Sequence, residues 1–216
     1  RQRRDLVTAL PALERAVALT PQRAGLVADL GQAQIEAGDF DTGVSTLGRA
    51  AVLPDTQQRT IAWLGALALP ALMDSDEAID ASRERLATQL ERIHAELRLD
   101  TAEQIASAHA AIGRVLPFPL HYQPRDNTVL QCRFGDLVAR VMATAAPGLA
   151  EPCDWTPRAH GGRVRVGIVA SHLMQHTVSR YFTCLIEGLD RDRFDVRVWH
   201  GGGEDESTRR IAANVS

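Results

Sequence analysis

The chain has 216 residues, enough for one large domain or two modest ones and for a sizeable buried core. Apolar residues make up 45% and charged residues 24%, and no apolar run approaches the ~18 residues of a helical membrane span, so a membrane protein is not expected. The 24 basic residues stand against 27 acidic ones, a net charge of −3, which leaves no broad basic field for nucleic acid.

Arg1 to Asp5 is charged and no apolar segment of a signal peptide follows. The chain does not begin with Met and opens inside a repeating pattern, so it is expected to be part of a longer protein. Ala9, Leu13, Ala16 and Pro21 recur 34 residues later as Gly43, Leu47 and Ala50, with Pro54 one step short. Between them lie Val27, Leu30, Gly31, Gly38, Asp39 and Phe40. This spacing resembles the tetratricopeptide repeat, in which small residues let two helices touch, Gly-Asp makes the turn and Pro ends the second helix. Residues 24–55 then form one repeat and residues 1–23 the tail of another. Val27 and Gln34 replace the motif's aromatic positions and Gly43 its usual Ala, so a generic helical hairpin is the alternative.

Residues 56–146 read as a helical connecting region. Trp63, Leu64, Leu67 and Leu69 predict a buried helix stopping at Pro70. Asp74 to Glu77 is a capping-box-like start for a stripe of Ile79, Leu86, Leu90, Ile93 and Leu97, and Thr101 to Gln104 opens a further helix. Two prolines one residue apart predict an extended Leu116 to Leu120. Asp126 to Thr128 caps a last helix carrying Leu130, Phe134, Leu137, Val138, Val141 and Met142. Residues 147–162, with three Pro and three Gly, read as a linker.

At Arg163 the period changes. Val164 to Val169 is a β-branched strand, Val178 to Leu189 has helical spacing, and Phe194 to Trp199 is a second strand. The β-α-β order predicts the start of a Rossmann-like parallel sheet over residues 163–216, and two strands alone make a marginal sheet, so the domain is expected to be completed elsewhere. The fold class is thus helical hairpins followed by α/β. Ligands of such sheets bind beyond the C-terminal strand ends, which puts Ser171, His172, His176 and Gly201 to Gly203 at the functional edge.

No G-x-G-x-x-G follows the first strand, so ordinary dinucleotide binding is not expected. His172 and His176 are spaced like a zinc-helix pair, but Leu173 stands where a metalloprotease needs Glu, and no metal is predicted. A second reading of His176 is a helix-cap histidine satisfied by backbone groups. The glycine triplet reads as a flexible loop rather than a phosphate cradle, since Glu204 to Glu206 is acidic beside it. His94, His109 and His121 carry no partner motif. Cys132, Cys153 and Cys184 are an odd count without a CxxC pair, which points to a reducing, cytoplasmic setting without disulfides or structural zinc.

Three stretches together resemble the bacterial SPINDLY-like branch of the O-GlcNAc transferase family: residues 24–55, Leu116 to Gln123 with Leu130 to Val141, and Val164 to Trp199. The resemblance implies tetratricopeptide repeats leading into the first lobe of a two-lobed GT-B glycosyltransferase. It also implies an inverting, metal-independent and cofactor-free transfer of GlcNAc or a related sugar from a UDP- or GDP-sugar to Ser or Thr of a protein. His176 matches the family's histidine near the reacting hydroxyl, with Ser171, His172 and Thr177 as substrate-binding neighbours. His172 and Leu173 replace the family's acidic-aromatic pair, and Thr177 a common Pro. The family's nucleotide-binding lobe lies outside this sequence, so the chain alone is expected to be inactive. The alternative is a tetratricopeptide interaction module with an inactive transferase-like domain.

Overall fold

The computed structural model describes residues 6–152 and 162–215. The chain divides into two compact units, Arg1–Pro152 and Cys153–Ser216.

The first unit is helical: α1 (Leu6–Leu19), α2 (Ala24–Glu36), α3 (Phe40–Ala51), α4 (Gln58–Ala66), α5 (Asp76–Glu96), α6 (Ala102–Ile112), a 3-10 helix (Phe118–Tyr122), α7 (Thr128–Ala145) and the single turn α8 (Pro147–Ala150). The hairpin α2-α3 lies within residues 24–55, where the sequence predicts two helices joined at Gly38-Asp39. Its turn needs Gly38, whose φ of +97° is left-handed, and Asp39 caps α3 by accepting from the Thr42 amide at 3.4 Å. Leu30, Leu47 and Ala50 are buried between the helices, as their spacing predicts. The helices come so close that a Cβ on Gly31 would sit 2.9 Å from the Gly43 carbonyl oxygen, and one on Gly43 would sit 2.6 Å from that of Gly31.

A second core joins Leu86, Leu90, Ile93 and Leu97 to Ala108 and Ala111 of α6, to Phe134, Leu137 and Val141 of α7, and to Trp63 and Leu67. The Thr101 to Gln104 cap is present as expected, whereas the cap of α5 falls one residue later than the Asp74 to Glu77 box and is not a box. Ser75 accepts from the Ala78 amide at 3.2 Å, and Thr101 and Gln104 form a reciprocal capping box. Asp126 accepts from the Thr128 amide at 2.9 Å, one residue ahead of the Asn127 cap position.

Three local expectations are corrected. Leu116 to Leu120 is not wholly extended: Phe118 begins the 3-10 helix, with Pro117 as its cap. The prolines are tolerated because the bonds of that turn are donated by Leu120 and Gln123, to the carbonyls of Pro117 and Leu120. The helix before Pro70 stops at Ala66, four residues early, because Arg85 reaches across to the carbonyls of Ala66 and Ala68 and satisfies them outside a helix. The predicted linker begins with α8, where Pro147 takes a first-turn position that needs no amide donor; its residues 153–161 lie outside the described part.

The second unit is β1 (Val164–Ala170), α9 (Thr177–Gly188), β2 (Phe194–His200) and α10 (Glu206–Ala213). The strands are parallel and adjacent, with Val164 opposite Phe194 and Ala170 opposite His200, as the β-α-β reading requires. Val166, Ile168, Ala170, Val196 and Val198 form one sheet face and pack on Leu173, Ile186 and Ile211. The alternate positions Arg165, Val169, Arg197 and Trp199 are exposed. Among the described residues no helix is long and apolar enough to cross a membrane.

Candidate functional site

The C-terminal ends of β1 and β2 carry two loops, residues 171–176 and 201–205, whose ends are fixed by register. The Ala170 carbonyl accepts from the Gly201 amide at 3.2 Å, extending the ladder by one bond into the second loop. His200, the last residue of β2, holds that corner: Nδ1 lies 3.0 Å from the Ala170 carbonyl oxygen and Nε2 2.9 Å from that of Gly203. A carbonyl only accepts, so the doubly protonated ring makes both bonds at once and a neutral ring makes one.

In the first loop the Ser171 hydroxyl lies 2.8 Å from His172 Nδ1, and the His172 and His176 rings are 4.7 Å apart between centroids, tilted by 44°. Ser171 and His172 are exposed, while His176 is half-buried at the start of α9. The half-burial follows from its cap. The Val178 amide donates to His176 Nδ1 at 3.2 Å, the His176 amide donates to Ser179 Oγ at 3.3 Å, and Ser179 Oγ donates back to the His176 carbonyl at 2.7 Å. With the Nδ1 lone pair taken by an amide, the neutral ring carries its proton on Nε2. Thr177 is the exposed first residue of α9. The loop therefore brings Ser171, His172 and His176 together and leaves Thr177 on the helix.

Two residues of the second loop matter to the site: the sequence places Gly202 at the edge within the triplet and Asp205 in the acidic run beside it, but gives neither its contact with the first loop. Asp205 caps α10 by accepting from the Thr208 amide at 3.1 Å, and its other oxygen accepts from the Gln175 amide at 2.5 Å. The amide of Gln175 first, then those of Thr208 and Ser207, with Arg209 nearby, hold its carboxyl below the usual carboxylate range. Gly202 packs directly on the first loop: a Cβ there would lie 2.1 Å from the Ser171 carbonyl oxygen and 2.9 Å from the Met174 methyl carbon. The triplet is thus a place of close approach and not simply a loose loop. The order Asp205-x-x-Thr208 ahead of an amphipathic helix was the available signal for the cap; nothing local signals the contact of Gly202.

Glu204, Asp205 and Glu206 make this edge acidic, and neither 171–178 nor 200–207 contains Arg or Lys. No group of three His, Cys, Asp or Glu side chains that could hold a metal occurs among the described residues. The chemistry on offer is hydrogen bonding from imidazole, hydroxyl and amide groups.

No family model matches the chain, and no curated protein matches it. Among solved structures it is similar to an O-GlcNAc transferase mutant from Thermobaculum terrenum, with a TM-score of 0.51 and 19% sequence identity. What the two share is the fold. The likeness covers 99% of this chain and 37% of that protein, so the helical hairpins and the opening β-α-β unit follow one another in both.

Proposed function

We propose that the chain is part of a protein O-glycosyltransferase, with residues 1–55 as the end of a tetratricopeptide array and residues 163–216 as the opening of the first catalytic lobe. The observation that supports this reading most is the fold likeness to an O-GlcNAc transferase over 99% of the chain, with His176 in the loop beyond the first strand. A Ser or Thr hydroxyl oxygen attacks the anomeric carbon of a UDP- or GDP-sugar such as one of GlcNAc. The carbon-oxygen bond to the diphosphate breaks, and the hydroxyl proton passes to a base. Ser171, His172 and Thr177 line the acceptor side.

His176 meets the reacting groups through Nε2–H, as a hydrogen-bond donor. To serve as the base, the ring must move its proton to Nδ1 and break the cap bond from Val178. The test uses the full-length enzyme with a peptide acceptor and a panel of nucleotide sugars. His176→Ala is expected to lower kcat about 10- to 100-fold, the worth of one hydrogen bond to a charged group. A loss of roughly 10³-fold or more assigns His176 as the base instead. Unchanged activity removes it from the reaction, and no transfer by the unaltered enzyme from any donor overturns the reading.

The acidic strand edge favours one rival, a partner-binding module whose α/β part is inactive, because carboxylates repel a diphosphate. The same assay separates the two.

A further inference from the structure

The helical unit carries an apolar cleft of about 410 Å³, remote in sequence from the histidine loop. It is lined by Pro70, Leu72 and Met73 from the segment after α4, by Ile79 from the first turn of α5, and by Tyr122 and Gln123 at the end of the 3-10 helix. Leu72 is 90% exposed and Tyr122 67%, although neither is needed to close the core below them. Phe118 extends the apolar surface, its ring edge-on to Tyr122 at 5.5 Å.

Two further features say what fits there. Gln123 is only 9% exposed, and its side-chain Nε2 is buried without a hydrogen-bond partner. Its Oε1 accepts from Arg83 at 3.0 Å, which ties the floor of the cleft to α5. Asp74, Asp76, Glu77 and Asp80, all exposed, flank Met73 and Ile79 of the lining in the chain. Arg125 answers two of them, with bonds of 2.9 Å to Asp76 and 2.9 Å to Asp80, and the rim keeps a negative excess.

We propose that this cleft is a docking site for a basic protein segment: one large apolar side chain enters between Leu72, Ile79 and Tyr122, and flanking Lys or Arg residues meet the acidic rim. Apolar burial gives the affinity and the charge pattern the choice of partner. The site goes beyond the transferase reading and does not depend on it.

The test is fluorescence anisotropy with the whole chain and a labelled nonapeptide holding one central phenylalanine between paired lysines. Binding is expected to weaken tenfold or more when the phenylalanine becomes alanine, and to vanish when the lysines become glutamates. Leu72→Ser and Asp74→Lys, both at exposed positions, should each weaken it at least threefold with an unchanged circular dichroism spectrum, and added salt should weaken it further. No binding up to millimolar chain overturns the proposal. So does equal binding of the lysine- and glutamate-flanked peptides, or indifference to both substitutions. Loss of sugar transfer in the full-length enzyme with peptide binding intact would count against the transferase reading alone.

Discussion

Gly43 stands where the repeat motif usually has Ala, and the structure gives the reason. A Cβ at that position would lie 2.5 Å from Ile35 Cγ1 and 2.6 Å from the Gly31 carbonyl oxygen, so two glycines share one helix crossing. Gly43→Ala gains about 1 kcal/mol of helix propensity yet is expected to destabilise the chain by roughly 1–3 kcal/mol, because the facing atom is backbone and cannot turn away. Gly31→Leu should cost at least as much, and chemical denaturation measures both; a neutral midpoint for either contradicts the close crossing. Gly202→Ala is the counterpart in the second unit. With the Ser171 carbonyl oxygen 2.1 Å from the added carbon, the two loops must separate. Sugar transfer by the full-length protein is expected to fall about tenfold or more, as misplacement near ~1 Å does to an active site. The repeat spacing marks Gly31 and Gly43 as helix-contact positions, but nothing local marks the contact of Gly202, and Gly25 and Gly48 have open space around them. The difference lies in what faces each one.

At the scale of elements, the caps were largely legible because a cap is a contact three residues long. Thr101 with Gln104, Asp39 at its turn and Ser75 ahead of α5 all lie within such a window. Asp205 reaches farther, joining the start of α10 to Gln175 thirty positions earlier in the chain. Its carboxyl is held below the ordinary value, so the sign of its pH dependence is fixed. The unfolded carboxyl titrates near ~3.9. The stabilisation is fully present above that value and is lost as pH falls through the lower folded value. Thermal melts of the chain and of Asp205→Asn from about pH 6 to about pH 2.5 should therefore show a gap that closes below about pH 4. A gap constant across that range would mean the carboxylate does not hold the loops. The cap of His176 was legible only as an alternative, since spacing alone treats a cap and a site histidine alike.

For the molecule as a whole, the exposed positions Val169, Arg197 and Trp199 are the second face of a two-stranded sheet whose first face packs on α9 and α10. Beyond its strand ends the loops hold imidazoles, hydroxyls and three carboxylates, without a cation. Calorimetry of residues 1–216 with a nucleoside diphosphate is therefore expected to give only heats of dilution. Saturable binding would place the donor site on this unit and reverse the division of labour proposed above.

Sequence alone determined the hairpin over residues 24–55, the stripe from Leu86 to Leu97, the paired strands and the position of the loop that holds His176. Each of these is written in contacts between near neighbours or in a fixed period, which a linear reading detects. Tertiary structure decided that Gly31 meets Gly43, that Arg85 ends α4 early, that Gly202 and Asp205 lock onto the first loop, and that a cleft opens beside Tyr122. These depend on which backbone atom, carbonyl or side chain arrives from a distant part of the chain, and no local period encodes that. His176 stands between the two: the strand-to-helix order places it at the edge, but the 3.2 Å bond from Val178 decides which ring nitrogen remains to face a substrate.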